Sequence, residues 1–411
     1  MQSVAQWLEI VGTFFKHQNN FFVLFKESSM DTQIRHPMLV NADHDENFRQ
    51  QFVHNLRLTL ASNILPGNKS VYEARVKPTF KKKHKREPKN RHEIRQAMNE
   101  DPFYRLYCAT QRASQEMMWD SVIDSVEREK VNLDKQATSS TKLTNGSCTT
   151  NNKFEVPTYH TAADIHLQPG GYHWEQNETD ICAGAIYDRS VFIYAIGGLG
   201  DMNDDLGKTL VNYFQKNYPK IQPLKILDIG CSVGHSTLPW VDAFPSAEVH
   251  GIDCGGGMVR YAHARAQHLG KTVHYSQQNA EQTNFPDNTF DIICSHIVLH
   301  ETSTSAFRNI LKENYRILKP GGIMLHLDAA PPDEGMELFH SFMYDWEAYN
   351  NNETFLVRQR DMDWESEATI AGFKKDQVNL DASTTYLAQK AILEGKEPAY
   401  AGAFPILIGI K

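Results

Sequence analysis

The chain has 411 residues with 42 Lys or Arg against 50 Asp or Glu, a formal net charge of -8 and 41% hydrophobic residues, which excludes a disordered or collagen-like chain and predicts two or three structural units. Charge is uneven: residues 1–100 hold 16 Lys and Arg against 10 Asp and Glu, leaving 26 against 40 in the remainder, so the acidic rear argues against a large nucleic-acid channel there. The apolar stretch from Trp7 to Phe25 is broken by Glu9, Lys16 and Asn19, short of the ~20 residues a spanning helix requires, and without a secretory pattern the expectation is a cytoplasmic protein with no membrane partner.

Residues 1–30 read as an N-terminal extension, with Met30 an alternative start, and residues 31–135 as a mainly helical region. Phe48, Phe52, Leu56 and Leu60 recur at helical spacing, predicting a surface helix from Asp45 that ends near Pro66 and Gly67. The run Lys81 to Arg86, followed by Lys89 and Arg91, reads as a solvated charged loop, with an anionic surface or nucleic acid as its other reading. From Asp101 and Pro102 a long helix is predicted, its packing stripe drawn from Phe103, Leu106, Tyr107, Met117, Met118, Val122 and Val126. Residues 136–153, rich in Thr, Ser and Asn, read as a flexible linker before an α/β domain over 154–411. Six cysteines lie scattered without the spacing of a zinc site, and no metal site is expected.

Within that domain strands are predicted at 224–229, 248–253, 273–277, 290–295 and 323–328, separated by helical patterns, with 378–380 and 404–410 as a closing antiparallel pair. Such alternation indicates a mostly parallel sheet with helices on both faces and ligands at the strand C-termini. The segment Asp228-Ile-Gly-Cys-Ser-Val-Gly234 turns the first strand sharply into a helix, where glycine admits positive φ and a helix N-terminus offers free N–H groups. Asp253 ends the second strand, 25 positions beyond Asp228, where a carboxylate accepts both hydroxyls of a ribose.

Ile226 to Gly234, Gly251-Ile-Asp253, Asn279-Ala-Glu281 before Phe285-Pro-Asp-Asn-Thr-Phe-Asp291, and Arg316-Ile-Leu-Lys-Pro-Gly-Gly322 together resemble the class I S-adenosylmethionine-dependent methyltransferases, particularly the ubiquinone/menaquinone small-molecule branch. The resemblance implies a Rossmann-like seven-stranded sheet. It also implies a cofactor site of Asp228, Gly230, Ser232 and Gly234 around the methionine portion, Asp253 on the ribose, and Asn279 with Ala280 near the adenine. Ser232 replaces the usual middle glycine and Asn279 the usual acidic residue.

Methyl transfer is an in-line displacement helped mainly by alignment and exclusion of water. His296, His300 and Glu301 follow the fourth strand, where a histidine near neutral pKa serves as base. Tyr172 and His173 in the segment Asp164 to His173, Tyr187 and Arg189 upstream of the first strand, and Phe342 and Trp346 downstream are the expected lid and substrate residues. The expected partner is a small-molecule methyl acceptor. The competing readings are an RNA or protein substrate held by the basic segment, and a protein that binds the cofactor without transferring methyl.

Overall fold

The computed structural model describes residues 32–140, 142–330, 332–333, 335–398 and 402–411, so the extension over 1–30 lies outside the described residues. Helix α1 (His44–Thr59) starts on a reciprocal cap, Asp43 accepting from the Glu46 N–H while the Glu46 side chain accepts from the Asp43 N–H. It does not stop at the prolines. One π turn (Leu60–Ile64) precedes Pro66 and another (Tyr72–Val76) precedes Pro78, and each proline then stands in the first turn of a renewed α-helix, Leu65–Val71 and Lys77–His84. The wider turn removes the demand for the N–H that proline lacks. Phe48 and Phe52 are each 59% exposed; the inward face is instead Glu46, Gln50, Val53 and Arg57.

After helix Arg91–Met98, α2 (Pro102–Ser139) runs for 38 residues. Its packed stripe includes Tyr107, Met118, Val122 and Val126 as predicted, whereas Leu106 and Met117 face outward and Tyr104 and Trp119 face inward. The segment expected as a linker is structured: α2 reaches Ser139, and β1 (Ser147–Thr149) pairs parallel with β4 (His274–Gln277). This edge strand makes the sheet eight-stranded.

Helices α3 (Cys182–Tyr194) and α4 (Asp205–Asn217) lead into β2 (Lys225–Ile229), β3 (Glu248–Asp253), α5 (Gly256–His268), β4, β5 (Phe290–His296), α6 (Thr304–Ile317), β6 (Leu318–Leu327), β7 (Val378–Thr384) and β8 (Ala403–Ile410). The strand order is β1-β4-β3-β2-β5-β6-β8-β7. β8 is antiparallel to β6 and β7, and the other pairings are parallel. β2 lies in the middle, where Ile226, Leu227 and Ile229 are buried on both faces, as parallel strands require. One face packs on α4 and α5, including Leu210, Phe214, Val259 and Ala262; the other packs on α6 through Phe307, Ile310 and Leu311. No helix of the described residues is long and apolar enough to cross a membrane.

The N-terminal helices dock onto this sheet domain through two polar anchors inside apolar contacts. Arg91, 3% exposed, reaches Asp333 (2.5 Å), Asp345 (2.7 Å) and Asp361 (2.7 Å). Asp188 on α3 receives His235 Nε2 (2.8 Å) and lies beside His36 Nε2 (3.2 Å), Arg265 Nε (3.4 Å) and the Tyr261 hydroxyl (2.8 Å). Burial alone would raise the Asp188 pKa, but His235, then His36 and Arg265, hold it well below the ordinary carboxylate value. Within the basic run Arg86 is paired with Glu93 and Lys81 with Glu87.

Removing one partner of a buried ionic cluster leaves uncompensated charge, a loss of about 3–5 kcal/mol. Arg91→Ala is expected to lose that much in urea unfolding, with Lys69→Ala, at a pair roughly 40% exposed, changing little. For Asp188 the folded pKa lies below the unfolded value of about 3.9, so its contribution is complete above that pH and is lost as pH falls below it. Asp188→Asn is expected to be less stable at pH 7 and to show a flatter decline in stability under acid, read from denaturation midpoints between pH 7 and 3.

Candidate functional site

The β2–turn segment is built from positive backbone angles: Gly230 φ 65°, Ser232 φ 47° and Gly234 φ 79°. A Cβ at Gly230 would lie 2.7 Å from both Val298 methyls, and one at Gly234 would lie 2.3 Å from the Tyr275 hydroxyl, so these positions admit only glycine for reasons of space as well as φ. Ser232 takes the same left-handed region with a side chain, which is strained. Its N–H compensates by donating to Asp253 Oδ2 (2.9 Å), while Gly255 N–H donates to Asp253 Oδ1 (2.8 Å). Each oxygen of Asp253 therefore keeps a lone pair for a hydroxyl.

Asp228 is buried and accepts from Thr237 Oγ1 (2.6 Å) and His296 Nδ1 (3.2 Å). With Nδ1–H on Asp228, the His296 lone pair is at Nε2, a buried atom with no hydrogen-bond partner among the described residues. Asn279 Oδ1 accepts from the Glu281 N–H (2.9 Å), so its amide shapes its own turn. Ala280 packs against the cluster that contains Ile252.

A cavity of about 1180 Å³ opens from this turn, lined at one end by Asp228, Gly230, Ser232, Asp253, Asn279 and Ala280. Gly234 does not line it, because that residue is turned toward Tyr275 on β4. Its walls also include Tyr172, Tyr187 and Tyr194, His296, His300 and Glu301, and Tyr107 and Trp119 from α2. Tyr172 and Tyr187 meet edge to face at 5.4 Å, and Tyr187 stacks on His235 at 6.2 Å. Trp346 also lines the cavity.

Three expected lid residues do not line it. Arg189 points away and donates to Gln50 Oε1 (2.9 Å) and Gln33 Oε1 (2.8 Å), anchoring the N-terminal region. Phe342 is a core residue against Tyr104 and Phe339. His173 lies against His160 at 6.1 Å, outside the lining.

His300 is fully buried, with Nδ1 on Asp328 Oδ1 (2.8 Å) and Nε2 3.4 Å from Glu353 Oε2. Burial opposes its charge, but Asp328, Glu353 and Glu301 outweigh it and push its pKa up to about 10. Such an imidazole carries its proton at neutral pH, which corrects the expectation of a neutral base at this position. His166, Glu347 and Glu353 also line the cavity and have no distinguishing motif in the sequence. Burial and the charge of Glu353 push Glu347 up to about 7.

Residues 226–322 match the family model described as a methyltransferase domain. The chain is 32% identical over 113 residues to the demethylmenaquinone methyltransferase of Thermus thermophilus, covering 28% of this chain and 50% of that relative. It is 34% identical over 111 residues to the ubiquinone/menaquinone biosynthesis C-methyltransferase UbiE of Pasteurella multocida, covering 26% and 41%. The chain thus spans about half or less of the length of these relatives. The crystal structure of YcgJ from Bacillus subtilis aligns with a TM-score of 0.36 and 22% identity, over 49% of this chain and 97% of that one. The turn, the carboxylate at the end of β3 and the strand order agree with the match of residues 226–322 to a methyltransferase domain.

Proposed function

We propose that this protein transfers a methyl group from S-adenosylmethionine to a small-molecule acceptor, on oxygen, carbon or nitrogen. One observation carries the reading: a single cavity joins the Gly230–Ser232 turn and Asp253 to a chamber walled by aromatic and titratable side chains. Both reactants fit in one enclosed space, where orientation and exclusion of water do most of the work.

The residues fit the cofactor. Asp253 has lone pairs for the ribose hydroxyls, the backbone at Gly230 allows close approach, and Ile252 with Ala280 offers an apolar wall for the adenine. When bound, S-adenosylmethionine supplies an electrophilic methyl group on a sulfonium. Tyr172 and Tyr187 screen the path from water. His296, held by Asp228 and with Nε2 unpartnered, takes the role of base toward an acceptor that must lose a proton. A macromolecular substrate is not favoured, since Arg86 and Arg91 of the basic segment are engaged in ion pairs within the fold.

Calorimetric titration with S-adenosylmethionine and its demethylated product tests the cofactor site. Saturable binding is expected, and Asp253→Ala is expected to weaken it about 100-fold, the loss of two hydrogen bonds to a charged group at roughly 1.5 kcal/mol each. A wild-type protein that binds neither compound would overturn the reading. Turnover of labelled cofactor against metabolite pools tests transfer itself. Once an acceptor is found, His296→Gln is expected to lower kcat by about 10²- to 10⁴-fold with product affinity retained; an unchanged kcat would remove His296 from the chemistry.

A further inference from the structure

His166, His300, Glu301 and Glu353 come from three separate places in the chain and converge on the cavity wall. His166 sits in the 3₁₀ turn Ile165–Leu167, His300 and Glu301 in the turn after β5, and Glu353 in the loop before helix Leu356–Arg360. His166 Nε2 is 3.4 Å from Glu301 Oε1 and 3.4 Å from Glu353 Oε1, and His300 Nε2 is 3.4 Å from Glu353 Oε2. The donor atoms of His166, His300 and Glu353 all lie within 4.8 Å of one another.

These separations are informative because they are uniform and too long for charge-assisted hydrogen bonds, which close to about 2.7–2.9 Å. Donors held about 2.1 Å from one shared ion stand roughly 3.0–3.4 Å apart in octahedral or tetrahedral geometry. Each imidazole is also fixed through its other nitrogen. His300 Nδ1 is on Asp328, whose carboxylate accepts in addition from the Leu299 (2.9 Å) and Ala329 (2.7 Å) N–H groups. His166 Nδ1 is 2.8 Å from Asn351 Nδ2, an amide donor, and the His166 carbonyl accepts from Trp119 Nε1 (2.7 Å) and Gln115 Nε2 (3.0 Å). A carboxylate behind a histidine whose Nε2 faces a shared space is the arrangement that orients metal-ligating imidazoles.

The charge count agrees. Glu301, Glu347 and Glu353 line the cavity with Asp328 behind His300, against Arg57, engaged with Gln115 Oε1 (2.7 Å) and the Tyr194 carbonyl (3.3 Å), and Lys69 as the lining cations among the described residues. Binding an ion displaces the His300 proton, and two imidazoles with one carboxylate then suit a divalent ion of borderline softness.

We propose that His166, His300 and Glu353 bind a divalent first-row transition ion, Zn²⁺, Fe²⁺ or Mn²⁺, at the cavity wall. The ligands reach the ion from the chamber walls, leaving its remaining positions open toward the cavity. The acceptor class this favours is a small molecule with an oxygen donor that ligates the ion. That assignment of acceptor rests on the methyltransferase reading; ion binding itself does not.

The test is metal binding by the full chain after chelation, read by titration with Zn²⁺ or Mn²⁺ alone and by the visible spectrum of the Co²⁺ form, with product binding by calorimetry in parallel. One ion per chain is expected. His166→Ala and Glu353→Gln are expected to weaken binding at least about 100-fold while remaining folded, with a lower melting temperature, and keeping affinity for the demethylated cofactor product, and the exposed His44→Ala to match wild type. Absence of saturable binding, or wild-type metal affinity in both folded variants, would overturn the site. If product binds and metal does not, the ion site fails and the methyltransferase reading stands; if metal binds and product does not, the ion site stands and the methyltransferase reading fails.

Discussion

The carboxylate of Asp188 is the point on which the architecture turns. It joins α3 to His235, the residue directly after Gly234, to Tyr261 and Arg265 on α5, and to His36 in the N-terminal segment. The Tyr261 hydroxyl stands 2.8 Å from the Met38 carbonyl as well. α5 begins at Gly256, just past the Gly255 N–H that holds Asp253. One buried charge thus fixes the turn, the helix beside the ribose-type carboxylate and the N-terminal layer. Desolvating it is offset only because several donors face it together.

That coupling explains why the N-terminal helices belong to the site and not to a separate module. α1 and α2 bring Arg57, Tyr107, Gln115 and Trp119 to the cavity wall, and Trp119 and Gln115 hold the backbone of His166. Arg91 does the same service on the other side, clamping the segment that contains Trp346 and Glu347 through Asp345. Without this layer the chamber would be open on that side, and the electrostatics that enclosure strengthens would be weakened by water.

The sheet and the glycine turn are legible in the sequence because they obey local rules. A buried strand, a glycine turn and an acidic residue at the next strand end are short-range signals, and Asp228, Gly230, Ser232 and Asp253 lie where those signals place them. The cluster of His166, Glu301 and Glu353 obeys no local rule. His166, Glu301 and Glu353 meet only through tertiary packing, and nothing in their spacing marks them. Arg189 and Phe342 mislead for the same reason: a buried arginine that joins two layers has the same sequence signature as one that meets a substrate. The strand at Ser147–Thr149 is hidden by polar composition, which an edge strand of exposed residues tolerates.

Backbone strain follows the same boundary. Among the described residues nine non-glycine positions have positive φ, and His166, Ile196, Asn203, Ser232 and Ile297 among them line the cavity. For β-branched Ile196 and Ile297 the left-handed region is a true outlier. Each such residue costs on the order of 1–3 kcal/mol and persists only where surrounding structure over-determines it. Here the determinants are visible: Asp253 holds Ser232, Trp119 and Gln115 hold His166, and the Leu327 carbonyl accepts from the Ile297 N–H at 2.8 Å. The cavity is therefore held in shape by the fold around it, and its side chains are aimed before any ligand arrives.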